Sequence, residues 1–301
     1  MESDFFFSYF EEKDFYYYFS DSSFIYYDRV SKRLMYNDLE LLRGKMLSFY
    51  IFDDLLFFEK ENKIQTINFL SGQFLWEFSL ASFGKWKNSW DEENYFKVYK
   101  LMGIYNNIFW AFIEIGGFIG LDIETGELKY HIPEYHQTVG KTICKGKDFF
   151  RSDYFLNSEK GKILGMAMDV FIEIDLTQEP PFVTQYGLQE EFEKYNIKGK
   201  DTSTKYAVQD NLLYFYLAEQ LKFGILDINT KEIIYVSEPI AVVERDDSFT
   251  RLRDLKVSEN KVYILDSNHT LHIFEREKLN FELGTSWKLA PAGEAKSYYR
   301  N

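Results

Sequence analysis

Three segments of the sequence concentrate side chains that proteins use to recognise partners. Aromatic anchors and carboxylates occur together in segments 79–96 and 185–205, and a histidine stands among basic residues in segment 133–151. Exposed Trp and Tyr supply much of the binding energy of protein interfaces, and carboxylates pair with basic partners. We therefore predict a partner-binding surface made of Trp86, Trp90, Asp91, Glu92, Glu93, His136, Glu190, Glu191, Glu193 and Tyr195.

A simpler interpretation of the same segments stays open. Trp86, Trp90 and Tyr195 could cover the outside of neighbouring strands, and a run of glutamates is often only a solvated face. The basic residues of segment 133–151 leave RNA binding as a minor alternative, which lacks the repeated aromatic residues on which bases stack. These basic residues are Lys141, Lys145, Lys147 and Arg151.

The sequence contains no motif typical of catalysis or of nucleotide binding. A nucleophile elbow, a phosphate-binding Gly-rich loop and a His-Glu-x-x-His zinc motif do not occur. Cys144 is the single cysteine, and the pairs His131/His136 and His269/His272 cannot complete a structural zinc site without further ligands. We predict no catalytic residue, no metal and no cofactor.

Charge narrows the choice of partner. The 48 acidic and 35 basic residues give a net charge of −13, which repels phosphate backbones and disfavours nucleic-acid binding. A basic protein is the partner that this charge favours, although the charge would also serve solubility alone. The amino terminus lacks a basic region and a cleavage site, and no apolar run approaches the ~18 residues of a membrane span. We expect a cytoplasmic monomer without membrane contact.

The elements that must position these segments belong to a repeat. Segment 118–130 reads as an apolar strand, an acidic residue, a tight turn and a second strand, and weaker copies recur at spacings between 40 and 54 residues. Aromatic residues, which suit strands, make up 19% of the chain. Repeats of this length with four short strands indicate propeller blades. The residues before the turns are Asp28, Asn68, Asp122, Asp175, Asp227 and Glu275.

These repeats predict an all-β fold, a single β-propeller of four-stranded blades that spans residues 1–290. Six blades are expected, with seven as the alternative, and residues 291–301 are expected to form a flexible tail. The acidic residues before the turns are interpreted as turn formers, because Asp and Asn side chains accept hydrogen bonds from backbone N–H groups two residues on. The three long segments fall between the last strand of one blade and the first strand of the next, where function concentrates on rigid scaffolds.

Two copies resemble the repeat of the quinoprotein-type, or PQQ-like, β-propellers. Segments 121–128 and 68–76 share that family's Asp-x-x-Thr-Gly turn or a close variant of it, followed by a strand that carries Trp76 in the second case. The resemblance implies the architecture and carries over no cofactor site, since many such propellers are scaffolds without activity. In composition the chain is also similar to bacterial immunity proteins, which neutralise a cognate toxin.

Together these observations favour a non-enzymatic, protein-binding propeller, and an immunity protein that uses the face of the long segments is one form of it. The alternative is a propeller enzyme of the lactonase or glycan-cleaving kind, with channel carboxylates that hold a divalent metal.

Overall fold

The computed structural model describes residues 17–20, 23–28, 30–37, 39–43, 49–87, 90–143, 149, 151–240, 251–258 and 260–275. The chain divides into two compact units, residues 1–133 and residues 134–301, and each unit is described by itself. The expected tail at 291–301, as well as Lys145 and Lys147 of the basic group, lies outside the described residues.

The first unit contains three four-stranded antiparallel sheets, in each of which the strands pair in chain order. The first sheet consists of β1 (Tyr17–Ser20), β2 (Ser23–Asp28), β3 (Arg33–Tyr36) and β4 (Leu39–Arg43). The second consists of β5 (Phe49–Phe52), β6 (Leu55–Lys60), β7 (Lys63–Asn68) and β8 (Gln73–Ser79). A short 3₁₀ helix (Leu80–Phe83) and a two-stranded hairpin follow, β9 (Lys85–Lys87) and β10 (Glu93–Tyr95). The third sheet consists of β11 (Val98–Tyr105), β12 (Ile108–Ile113), β13 (Gly117–Asp122) and β14 (Leu128–Ile132).

The second unit contains sheets of five, four and three described strands. The five-stranded sheet has the order β15-β19-β18-β17-β16, with β15 (Gln137–Lys141), β16 (Phe155–Asn157), β17 (Lys162–Ala167), β18 (Val170–Asp175) and β19 (Phe182–Leu188). Helix α1 (Gln189–Lys194) and a 3₁₀ helix (Gly199–Asp201) come next. The remaining sheets consist of β20 (Thr202–Gln209), β21 (Leu212–Leu217), β22 (Lys222–Asp227) and β23 (Ile233–Val236), and of β24 (Leu252–Val257), β25 (Lys261–Asp266) and β26 (Leu271–Glu275).

The middle strands of the sheets carry the core. All six residues of β21 are buried, and β13 and β18 are almost as deeply buried, because these strands have a sheet neighbour on each edge and packed side chains on both faces. Phe57 of β6 and Phe109 of β12 stack with ring centroids 4.1 Å apart, which joins the second and third sheets of the first unit. Apolar side chains thus hold neighbouring sheets together within a unit.

Five of the six repeat residues form turns, as the sequence predicts. One carboxylate oxygen of Asp122 accepts hydrogen bonds from the backbone N–H groups of Glu124 and Thr125, both at 3.0 Å. Asp28, Asn68, Asp175 and Asp227 make equivalent bonds to N–H groups two or three residues on. Glu275 likewise ends its strand, β26, and because the residues that follow lie outside the described part of the chain, its turn stays a prediction; Asp266 accepts bonds of the same kind in the turn before β26.

Candidate functional site

The first long segment of the sequence forms a hairpin in the first unit. Strands β9 and β10 pair in antiparallel register, with Trp86 opposite Asn94. Two ion pairs brace the hairpin, Lys85 to Glu93 at 2.9 Å and Lys87 to Asp91 at 2.9 Å. The bond to Glu93 raises the pKa of the Lys85 ammonium above its usual value. The acidic residues predicted for partner contact are therefore partly used to hold the hairpin in shape.

Trp90 is the most exposed aromatic residue that the structure describes. Its side chain lies at the turn of the hairpin and is 81% exposed, whereas Trp86 in β9 is half-buried. Asp91, Glu92 and Glu93 follow directly and are all exposed. The hairpin thus presents one large apolar side chain beside a cluster of carboxylates, the combination expected of an anchor for a basic partner.

His136 supports the fold at the edge of the five-stranded sheet. Its Nδ1 accepts a hydrogen bond from the backbone N–H of Val183 at 2.8 Å, and its ring stacks on Phe182 with centroids 5.0 Å apart. His136 directly precedes β15, which pairs in parallel with β19. The histidine of the second long segment therefore fixes an added strand, a role that its sequence neighbourhood does not reveal.

The glutamates of the third segment fall into two kinds. Glu191 is only 15% exposed and accepts a hydrogen bond from the backbone N–H of Ile233 at 3.1 Å, as well as one from Lys194. Tyr195 donates its hydroxyl to the carbonyl of the same Ile233 at 2.8 Å. Glu190 and Glu193 are solvent-exposed. Glu191 and Tyr195 thus attach helix α1 to β23, while Glu190 and Glu193 make only surface contacts, with Lys141 and Gln189 respectively.

The second and third segments meet in the second unit. The Lys141 ammonium at the end of β15 lies 3.0 Å from a carboxylate oxygen of Glu190 in α1, and this contact raises the pKa of the lysine. The third segment is shorter than its predicted bounds of 185–205, since β19 runs to Leu188 and β20 begins at Thr202. The sequence does not reveal these strand ends, because polar residues such as Gln185 are buried there against the added strand β15.

A cavity that sequence reasoning missed lies between two sheets of the second unit. It has a volume of about 660 Å³ and is bordered by the sheet that contains β16 and β17 and by the sheet of β20–β23; we call it the inter-sheet cavity. Its apolar wall includes Phe155, Leu164, Val208 and Ile228. Its polar wall holds Lys162, Glu173 and Lys231.

The polar wall is a linked set of charges. The ammonium of Lys162 lies 2.7 Å from one carboxylate oxygen of Glu173, and that of Lys231 lies 2.9 Å from the other. Burial raises the pKa of Glu173, but the hydrogen bonds from both lysines outweigh burial and hold it below the ordinary value of 4.5. Lys231 also donates to the carbonyl of Ile228 at 2.6 Å and lies over the Tyr186 ring. No local motif signals this set, because Lys231 and Glu173 are 58 residues apart in the chain.

The described part of the chain contains neither a cluster of potential metal ligands nor a helix suited to span a membrane. No group of three or more His, Cys, Asp and Glu residues lies close enough there to hold a metal ion. None of the helices among these residues is long and apolar enough to cross a membrane.

Comparison with solved structures places the chain in the β-propeller fold. It is similar to the Cps50 (Swd1) β-propeller domain of Myceliophteria thermophila, with 12% identity over 83% of this chain and 71% of that one and a TM-score of 0.51. It is similar to Kluyveromyces lactis Hsv2, with 9% identity over 87% and 70% and a TM-score of 0.52. A chain of a mitotic checkpoint complex gives 10% identity over 85% and 70% and a TM-score of 0.50.

No family model matches the chain, and no curated protein matches it in sequence. The predicted all-β propeller class is confirmed by these structures and by the four-stranded antiparallel sheets. Six sheets of three to five strands are present among the described residues, a number consistent with six blades. The blade number and the quinoprotein-type repeat stay predictions.

Proposed function

We propose that this chain is a non-enzymatic β-propeller that binds a basic protein, with the β9–β10 hairpin as its principal contact. The observation that carries the proposal is Trp90, 81% exposed at a turn that continues into Asp91, Glu92 and Glu93. An aromatic residue that would gain by burial, beside carboxylates that would attract lysines and arginines, suits an interface with a basic partner.

The second unit offers a further contact of the same character. Glu190 and Glu193 are exposed on α1, and their side chains bond Lys141 and Gln189 respectively on the surface of the second unit. Contacts of this kind are weak and easily exchanged for a partner's charges. This surface is proposed as an auxiliary contact, to be tested separately from the hairpin.

The finer form of the proposal is an immunity protein, which acts in the cytoplasm as a monomer and neutralises a basic toxin by covering it. It is supported by the net charge of −13 and by the carboxylates beside Trp90. One of the similar solved chains comes from a mitotic checkpoint complex, so this fold does serve in protein assemblies. The carboxylate-and-metal enzyme alternative has no comparable cluster among the described residues to support it.

A capture experiment with matched variants tests the contact. The wild-type chain, immobilised and exposed to extract of its own host, is expected to retain one basic protein, which mass spectrometry identifies. Trp90→Ala, and Glu92→Lys combined with Glu93→Lys, should each abolish retention. Asp91 is left unchanged because its backbone φ of 64° disfavours most replacements.

The control is Glu124→Lys, which reverses an equally exposed charge in a turn of the same unit and should leave retention intact. Retention that survives both hairpin changes would show that the hairpin is not the contact. The immunity form is tested by producing the retained protein alone and with this chain in a growth assay. Growth arrest by the partner, relieved by the wild type and not by Trp90→Ala, is the expected result, and a harmless partner would refute neutralisation.

A further inference from the structure

We propose that the inter-sheet cavity binds a small organic anion that carries an apolar body. This inference does not depend on the protein contact proposed above, since the cavity belongs to the second unit and shares no residue with the hairpin. It assigns a small-molecule site to a chain whose sequence contains no ligand-binding motif.

The first argument for an anion site is the charge of the partly buried side chains that line the cavity. Lys162 and Lys231 are 33% and 17% exposed and share the single carboxylate of Glu173, which is 13% exposed. On this wall two ammonium groups face the one carboxylate of Glu173, while Asp175, opposite Lys162 in the strand register, offsets part of the Lys162 charge from outside the cavity lining. The other acidic residues that border the cavity, Glu159 and Asp210, are solvent-exposed and thus better screened. In a chain of net charge −13, two partly buried ammonium groups beside one carboxylate are a local exception that attracts an anion.

Fixed geometry is the second argument. Lys231 is held by Glu173, by the carbonyl of Ile228 and by the rings of Tyr186 and Phe171, whose centroids lie 4.7 and 5.3 Å from its Nζ. Such a lysine loses little conformational freedom on binding a ligand. The Lys162 ammonium has three N–H donors, of which the bond to Glu173 uses one. Because the N–H donors of Lys162 and Lys231 are positioned before a ligand binds, they favour a carboxylate or phosphate at this wall.

The apolar wall indicates the rest of the ligand. Phe155, Leu164, Val208 and Ile228 line the same cavity, most of whose other lining residues are polar or charged. A volume of about 660 Å³ falls within the range of roughly 300–1,000 Å³ that small-molecule sites occupy. An aromatic or branched aliphatic body would cover these side chains while its acidic group reaches the lysines.

The full-length chain is titrated by calorimetry at low ionic strength with benzoate, phenyl phosphate and the neutral isostere benzamide. Both anions are expected to bind at least about tenfold more tightly than benzamide, a factor typical of one charged hydrogen bond. The tighter of the two anions identifies the head group as carboxylate or phosphate. Equal affinity for benzamide and benzoate, or no heat from any probe at about 10 mM, would overturn the proposal.

Variants distinguish an anion site from a merely structural ion pair. Lys162→Met should weaken benzoate binding about tenfold, whereas Glu173→Gln should strengthen it several-fold because both lysines lose their competing carboxylate. Lys256→Met, which removes an exposed charge from β24 of the same unit, is the control and should change nothing. If Glu173→Gln weakened binding or left it unchanged in a protein with intact circular dichroism, the charge argument would be wrong. If Glu173→Gln does not fold, Lys162→Met decides the question. Weaker benzoate binding by Lys162→Met, with unchanged binding by the Lys256→Met control, would support the anion site. Unchanged benzoate binding by Lys162→Met would refute it.

Discussion

Two tryptophans of the first unit have opposite surroundings. Trp76 in β8 is 5% exposed, and its indole N–H donates to the carbonyl of Ile123 at 2.8 Å. Its ring also covers Gly126, where an added Cβ would lie 2.6 Å from the indole. The glycine of the repeat therefore serves two purposes, a backbone φ of 73° in the turn and room for the tryptophan of the preceding sheet. Trp90, by contrast, is 81% exposed.

Replacing each tryptophan should separate stability from binding. Trp76→Ala is expected to lower the free energy of unfolding by about 3–5 kcal/mol, since it removes a large buried side chain and a hydrogen bond. Trp90→Ala should change it by less than about 0.5 kcal/mol, as is usual for exposed positions. Urea titrations followed by fluorescence measure both. A stability loss of several kcal/mol in Trp90→Ala would assign that residue to the core of the fold and remove it from the proposed contact.

Glu173 gives the second unit an acid-sensitive contact. Its folded-state pKa lies below the ordinary value of 4.5, so its ionised form stabilises the fold above that pH, and the contribution is lost as the pH falls through the lower folded-state pKa. Glu173→Gln should therefore be less stable than the wild type at neutral pH, with a difference that shrinks below about pH 4. Thermal unfolding between about pH 7 and pH 3 measures this. A constant difference across that range would contradict the assigned role.

At the scale of elements, helix α1 depends on contacts with β23. The helix has only six residues, a length at which isolated helices do not form in water. Phe192, one of its residues, packs into the core of the second unit, and Glu191 and Tyr195 bind the two backbone groups of Ile233. The helix is thus held by tertiary contacts, which also decide which of its glutamates face solvent.

Two glutamates of this helix should respond differently to substitution. Glu191→Ala is expected to cost about 1–3 kcal/mol of stability, because it leaves the N–H of Ile233 without its carboxylate acceptor. Glu193→Ala removes an exposed carboxylate and should leave stability within about 0.5 kcal/mol. Denaturant unfolding of both variants is the measurement. Equal effects would show that the bond to Ile233 contributes no stability.

At the scale of the whole molecule, the charge of −13 should control the rate of complex formation. Attraction between this surface and a basic partner accelerates encounter at low salt, and salt screens it. The association rate constant for the captured partner should fall by about tenfold or more between 20 and about 300 mM salt, with a smaller change in dissociation. Stopped-flow or surface plasmon resonance measures both rates. An association rate that does not depend on salt would argue against electrostatic attraction to a basic partner.

The sequence by itself determined the strands, the turns and the fold class. The alternation of apolar residues involves positions that are close in sequence, and so do the hydrogen bonds that the Asp122 carboxylate accepts within its own turn. Both features can therefore be recognised from the sequence. The sequence also located the segment that contains Trp90, because the connection between two repeat copies is unusually long there.

Only the tertiary structure decided which side chains support the fold and which face a cavity. His136 fixes β15, Glu191 binds β23, and Lys162 and Lys231 converge on Glu173. Each of these contacts joins groups 11 to 58 residues apart. Separations of this kind are set by how strands and sheets pack in space, which the local pattern of a single sequence does not specify.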